Sequence, residues 1–113
     1  MIDQIPPHDL SAWLAAARAE GQPLLLDVRE PVEWQIASVR AESADLLQLP
    51  MSAVPSRLNE LDPDRPVAVL CHHGGRSMQV AMFLQQQGFA RIANVAGGID
   101  AWSLQIDPSV PRY

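Results

Sequence analysis

Lysine is absent from this chain, cysteine occurs once, and no apolar run approaches the length of a membrane span. Each absence excludes something. All eight basic residues are arginines, dispersed from Arg18 to Arg112, and 13 acidic residues bring the formal net charge to -5. Phosphate backbones are bound by concentrated positive charge, so this balance argues against a nucleic-acid surface, and any electropositive spot must be local, with Arg76 best placed to make one. One cysteine, Cys71, permits no internal disulfide and no resolving thiol in the same chain. A bilayer span needs about 20 consecutive apolar residues, and the opening stretch Met1 to Pro7 has neither a basic start nor an apolar signal core. No membrane association is therefore expected, and the expected location is the cytoplasm.

What is present is ordinary globular material. The 113 residues are 48% apolar and 19% charged, enough for one core and short for two, so residues 1–113 are expected to form a single domain. After an extended opening at Ile5-Pro6, the spacing of Leu10, Trp13, Leu14 and Ala17 predicts a helix that starts at Pro7 or His8 and is stopped by Gly21. Pro23 to Val28 is a continuous apolar run closed by charge, the pattern of a strand covered on both faces. Pro31 opens a short helix to about Ile36. Ala44 to Leu49 reads as a short strand, Pro55 to Leu61 as another short helix, and Asp62 to Pro66 as a turn.

The most informative stretch comes next. Val67 to Leu70 is a buried strand that delivers Cys71 into the turn His72-His73-Gly74-Gly75, and a helix follows from Arg76 or Ser77 to Gln87, closed by Gly88. A thiol in that position faces backbone N–H groups and the positive end of a helix dipole, both of which favour the nucleophilic thiolate. Arg76 in the first turn opposes the dipole, which is easier to understand if a thiolate or an anionic substrate lies beside it. Ile92 to Val95 is a last short strand, Gly97-Gly98 leads into a brief helix through Trp102, and residues 103–113, with Pro108 and Pro111, read as a surface tail. Strands alternating with helices predict an α/β fold of three layers, a mostly parallel sheet with helices on both faces, and ligands bind beyond the carboxyl ends of such strands.

Four segments together resemble the rhodanese family of thiol sulfurtransferases. Leu25 to Glu30 followed by Glu33-Trp34 is similar to the family's first signature, and Cys71 to Ser77 to its active-site loop. Gly88-Phe89 with Asn94 to Ile99 resembles the stretch after the loop helix, and Ala101-Trp102 completes a Gly-Gly-x-x-x-Trp pattern. The resemblance implies that Cys71 takes a sulfane sulfur from a donor such as thiosulfate or a persulfide and passes it to cyanide or a thiol, without a cofactor or metal. It further implies that His72 to Ser77 bind the persulfide through their N–H groups, with Arg76 recognising anions and Ser77 offering a hydroxyl. Asp27 and Arg29 resemble a pair that braces the site. The partners so implied are a small sulfur donor and a thiol acceptor, a protein thiol among the options.

Two rival readings stay open. Cysteine phosphatases and arsenate reductases also run from a nucleophilic cysteine to an arginine, but only four residues separate Cys71 from Arg76, one fewer than in their pattern. A shorter loop draws its N–H groups toward a single sulfur instead of around a tetrahedral oxyanion. The other rival is an interaction module that keeps the fold without the chemistry. His72 and His73 are read as shaping the pocket mouth, since adjacent residues rarely aim both rings at one metal. Trp13, Trp34 and Trp102 are read as core anchors. Between Ala37 and Ala44 the family's Gly-His-Ile-Pro-Gly-Ala stretch is missing, so this segment must turn by other means.

Overall fold

The apolar runs become strands because each has both faces covered. In the computed structural model, which describes residues 2–113, Leu24–Asp27 (β2), Val67–Leu70 (β4) and Ile92–Val95 (β5) are buried along their whole length. With Ile2–Ile5 (β1) and Asp45–Gln48 (β3) they form one five-stranded sheet in the order β1-β5-β4-β2-β3, parallel throughout. The helices are Pro7–Ala17 (α1), Pro31–Ile36 (α2), Gly75–Gln86 (α3) and Gly98–Gln105 (α4).

Strand side chains alternate in direction, so the sheet divides the core in two. Leu25, Ala68, Leu70, Ala93 and Val95 pack with Leu10, Trp13 and Leu14 of α1 and with Ile99 and Trp102 of α4. Leu24, Leu26, Val67, Val69 and Ile92 pack with Val80, Ala81 and Leu84 of α3. Cys71 continues the β4 alternation into this second cluster, which is why its side chain lies under α3.

The expected three-layer α/β architecture is what forms, with local differences. Strand β1 is absent from the sequence reading, which has only an extended opening there. It is a half-buried edge strand of four residues in register with β5, too short to show a period. Instead of a helix, Pro55 to Leu61 contains turns and a single 3-10 turn, Leu58–Glu60, preceded by another at Met51–Ala53. Val54 and Leu61 both reach the core, and a continuous α-helix between them is not needed for either to do so. Helix α4 runs to Gln105, past Trp102. The 37–44 segment is irregular and anchored by Ala37 and Val39, which are buried with the α1 side of the core. Trp34 differs from Trp13 and Trp102 in lying only partly buried, on α2. Of the expected 103–113 tail, residues 103–105 are the end of α4 and 106–113 are turns and irregular chain, tied down where Val110 is buried and its carbonyl accepts from Ser103 Oγ at 2.7 Å.

Candidate active site

The loop after β4 is shaped by its neighbours. Ile99 N–H donates to the Cys71 carbonyl at 2.9 Å and Asp100 N–H to that of His72 at 3.1 Å, so the first turn of α4 holds the loop's entry. Gly98 makes that approach possible, because a β-carbon there would run into the carbonyl oxygens of Cys71 and His72. Gly74 then takes a left-handed conformation, φ +106°, and opens α3. Its N–H turns back to donate to Cys71 Sγ at 3.1 Å.

Cys71 is 1% exposed, and Ser77 Oγ lies 3.2 Å from its sulfur. Where the hydroxyl proton sits follows from the next residues. Asn94 donates through Nδ2 to Gln4 Oε1 at 2.9 Å and to the Gly74 carbonyl at 3.2 Å, which leaves its Oδ1 facing Ser77 as an acceptor. Ser77 has one O–H, and Asn94 takes it. The sulfur therefore meets an oxygen lone pair, and the arrangement suits a resting thiol that donates to Ser77. Turning the Ser77 proton toward sulfur would suit a thiolate.

Of the six loop N–H groups expected to surround the sulfur, only that of Gly74 bonds it. Those of Gly75, Arg76 and Ser77 have no partner among the described residues, as the first turn of a helix dictates, since the first helical bond here is from Met78 N–H to the Gly74 carbonyl. They are donors left without a partner at the start of α3.

The charged half of the site is built from pairs. Arg29 and Asp27, 0% and 1% exposed, share two bonds, Nε to Oδ1 at 2.9 Å and Nη2 to Oδ2 at 2.7 Å. Arg29 also donates to the carbonyls of Glu33 and Ala37 and to Tyr113 Oη. It thus ties α2, the irregular 37–44 segment and the tail together. Arg76 departs from expectation. Its guanidinium forks onto the Glu33 carboxylate at 2.6 and 2.8 Å, and this bidentate geometry leaves its charge compensated. Glu33 also accepts from Tyr113 Oη at 2.7 Å and from Glu30 N–H at 3.1 Å. The Arg76 bond above all, helped by Tyr113 and against the effect of burial, holds the Glu33 carboxyl at about 2.

Tyr113 closes over the loop from outside. Its ring stacks on His72 at 3.9 Å with 9° between planes, and His72 stacks in turn on His73 at 3.9 Å and 29°. Burial, then the neighbouring His73, pushes the His72 pKa down. Ligand atoms of His72, His73 and Asp100 lie within 4.8 Å of one another, the arrangement nearest to a metal site among the described residues. The Asp100 carboxylate is held by Arg112 at 2.8 Å.

A chain with this fold, one cysteine after its central strand and a helix opening behind the loop, is matched by known proteins. The Rhodanese-like domain family profile matches residues 10–105. The chain belongs to the rhodanese-like domain family. A "Sulfurtransferase" of Allochromatium vinosum is 39% identical over 103 residues, covering 91% of this chain and 90% of that protein. The chloroplastic Rhodanese-like/PpiC domain-containing protein 12 of Arabidopsis thaliana is 47% identical over 89 residues, 79% of this chain but 30% of the relative, so this chain spans under a third of that protein's length. A rhodanese-related protein of Thermoplasma volcanium superposes with a TM-score of 0.75 at 31% identity, covering 98% of this chain and 99% of the other. Sulfurtransferases are thus the named company of this rhodanese-like chain.

The structure brings Cys71 and Ser77 into direct contact and pairs Asp27 with Arg29, whose other partners lie on α2, at Ala37 and at Tyr113 and not on the loop. It keeps Arg76 on Glu33 rather than free. Sequence reasoning assigned no role to Glu33, Asn94, Gln4 or Tyr113. A signal existed for one: Asn94 is a polar residue inside the apolar run Ile92 to Val95, in a strand with both faces covered. Gln4 and Tyr113 act from the two ends of the chain, and nothing local marks them.

Proposed function

We propose that this domain is a sulfurtransferase that carries sulfur as a Cys71 persulfide. In the first half-reaction the Cys71 thiolate attacks the outer sulfur of a donor. A sulfur–sulfur bond forms to Sγ while the bond to the rest of the donor breaks, and its electron pair leaves with the sulfite or thiolate released. In the second, an acceptor thiolate or cyanide attacks that outer sulfur and Cys71 regains its thiolate. Ping-pong kinetics follow.

What carries this reading is a thiol already bonded by Gly74 N–H, directly before a helix whose first N–H groups, at Gly75, Arg76 and Ser77, are unpartnered among the described residues. An anionic sulfur added to Sγ would find these donors fixed in place, as an oxyanion does in a preorganised hole. Small sulfur donors and thiol acceptors, protein thiols included, are the partners that chemistry admits. No helix of the described residues is long and apolar enough to cross a membrane.

The burial of Cys71 favours a second reading, an interaction module with a silent thiol. Intact-mass spectrometry separates the two. After incubation with thiosulfate or an organic persulfide, the enzyme gains the mass of one sulfur atom and Cys71→Ala does not; no gain with any sulfane donor leaves the silent module standing.

A further inference from the structure

The charges around the loop cancel in pairs. Arg76 is matched by Glu33, Arg29 by Asp27, and Arg112, which reaches α4 beside the loop, by Asp100. Two of the five N–H donors of Arg76 are spent on Glu33 and its charge is balanced there, so a sulfonate would meet a neutralised pair instead of a free cation. That carboxylate is not a loose surface partner: it holds two bonds from Arg76, one from Tyr113 Oη and one from the Glu30 backbone, and its side chain is 14% exposed. An internal anion therefore occupies one bidentate edge of the guanidinium and balances its charge.

We propose that Glu33 is a specificity-determining residue that turns the site away from dianionic sulfur donors and toward persulfides of thiols, whose reacting end brings no second anionic group. The proposal rests on the sulfurtransferase reading and names its donor class. For thiosulfate the Cys71 thiolate must take the sulfane sulfur from a dianion and release sulfite. For a persulfide RS–SH it takes the same sulfur and releases RS⁻, which the solvent protonates, so no bulky anion needs a place beside Arg76. The N–H groups of Gly75, Arg76 and Ser77 serve the transferred sulfur equally in both cases. Only the leaving group distinguishes them, and Arg76 is the side chain through which the difference would be felt.

The experiment compares thiosulfate with 2-hydroxyethyl persulfide, whose organic group is uncharged, in the wild type and in Glu33→Gln. Removing the carboxylate charge leaves Arg76 uncompensated, and the ratio of kcat/KM for thiosulfate to that for the persulfide should rise about tenfold or more, the effect of one gained charge-assisted bond. A ratio unchanged within about twofold overturns the proposal. Because Glu33→Gln also loosens α2, two readouts avoid reliance on its turnover. In the wild type, kcat/KM for thiosulfate should be nearly independent of ionic strength, whereas a steep fall with salt would mean an uncompensated cation and overturn the proposal. In a Cys71→Ser background, which cannot react, thiosulfate should bind by calorimetry at least about tenfold more tightly once Glu33→Gln is added, and equal affinity overturns it. Failure of the underlying reading looks different: neither donor then adds sulfur to Cys71 at all.

Discussion

Two hydrogen-bonded networks meet at the loop, and they are made of different things. On the α2 and tail side, Asp27, Arg29, Glu33, Arg76 and Tyr113 form a chain of charges closed into pairs. On the β1 and β5 side, Gln4, Asn94, Ser77 and Cys71 form a chain of neutral groups that ends on the sulfur. The difference teaches where control lies. The paired charges tie α2, the 37–44 segment and the tail to one another and leave Arg76 compensated. Of the neutral groups Ser77 meets the sulfur, and Asn94 and Gln4 set the direction of its hydroxyl.

The sharpest way to break this comparison is to open the charged half from within. Arg29→Met leaves Asp27 buried without its partner, and removing one member of a buried pair costs about 3–5 kcal/mol. Urea unfolding should register a loss of that size, and a change below about 1 kcal/mol would mean that the clamp braces nothing. Next comes the neutral half. Asn94→Ala strips the acceptor from the Ser77 proton and one donor from the Gly74 carbonyl, at about 1–3 kcal/mol. It also frees Ser77 to donate to sulfur, so alkylation of Cys71 by iodoacetamide should persist to lower pH than in the wild type. An unshifted profile would place the Ser77 proton elsewhere.

Acid tests the charged half by another route. The Glu33 carboxyl sits at about 2 against 4.5 when unperturbed, so the folded form binds its proton less readily than the unfolded chain. Its contribution to stability is complete above about 4.5 and is lost as pH falls toward 2. Glu33→Gln should flatten the stability profile in that window, measured by chemical denaturation at fixed pH. The smallest effect belongs to Tyr113→Phe, which removes the hydroxyl shared by Arg29 and Glu33 and keeps the ring on His72. A loss of about 1 kcal/mol is expected at this half-exposed position, with the acid window moving upward because Glu33 loses a donor.

Much of the fold was legible because covered strands announce themselves. Leu24 to Asp27, Val67 to Leu70 and Ile92 to Val95 are unbroken apolar runs or nearly so, and Leu10, Trp13, Leu14 and Ala17 keep helical spacing. The edge strand Ile2–Ile5 was not legible, since pairing with β5 across ninety residues creates it and no local period does. The 55–61 segment, expected as a short helix, forms turns instead, and these still carry Leu61 into the core beside Val54.

By itself the sequence determined the strand that ends at Cys71, the glycine-bearing turn that follows, and hence a thiol beside the start of a helix. These are local matters, settled by apolar runs and by which residues tolerate a left-handed turn. Only tertiary structure decided that Arg76 would be matched by Glu33, that Asn94 would hold the proton of Ser77, and that Tyr113 would lie across His72. A charge or a hydroxyl in a sequence shows its capacity for partners but not their identity, because the partners arrive from distant segments when the chain packs.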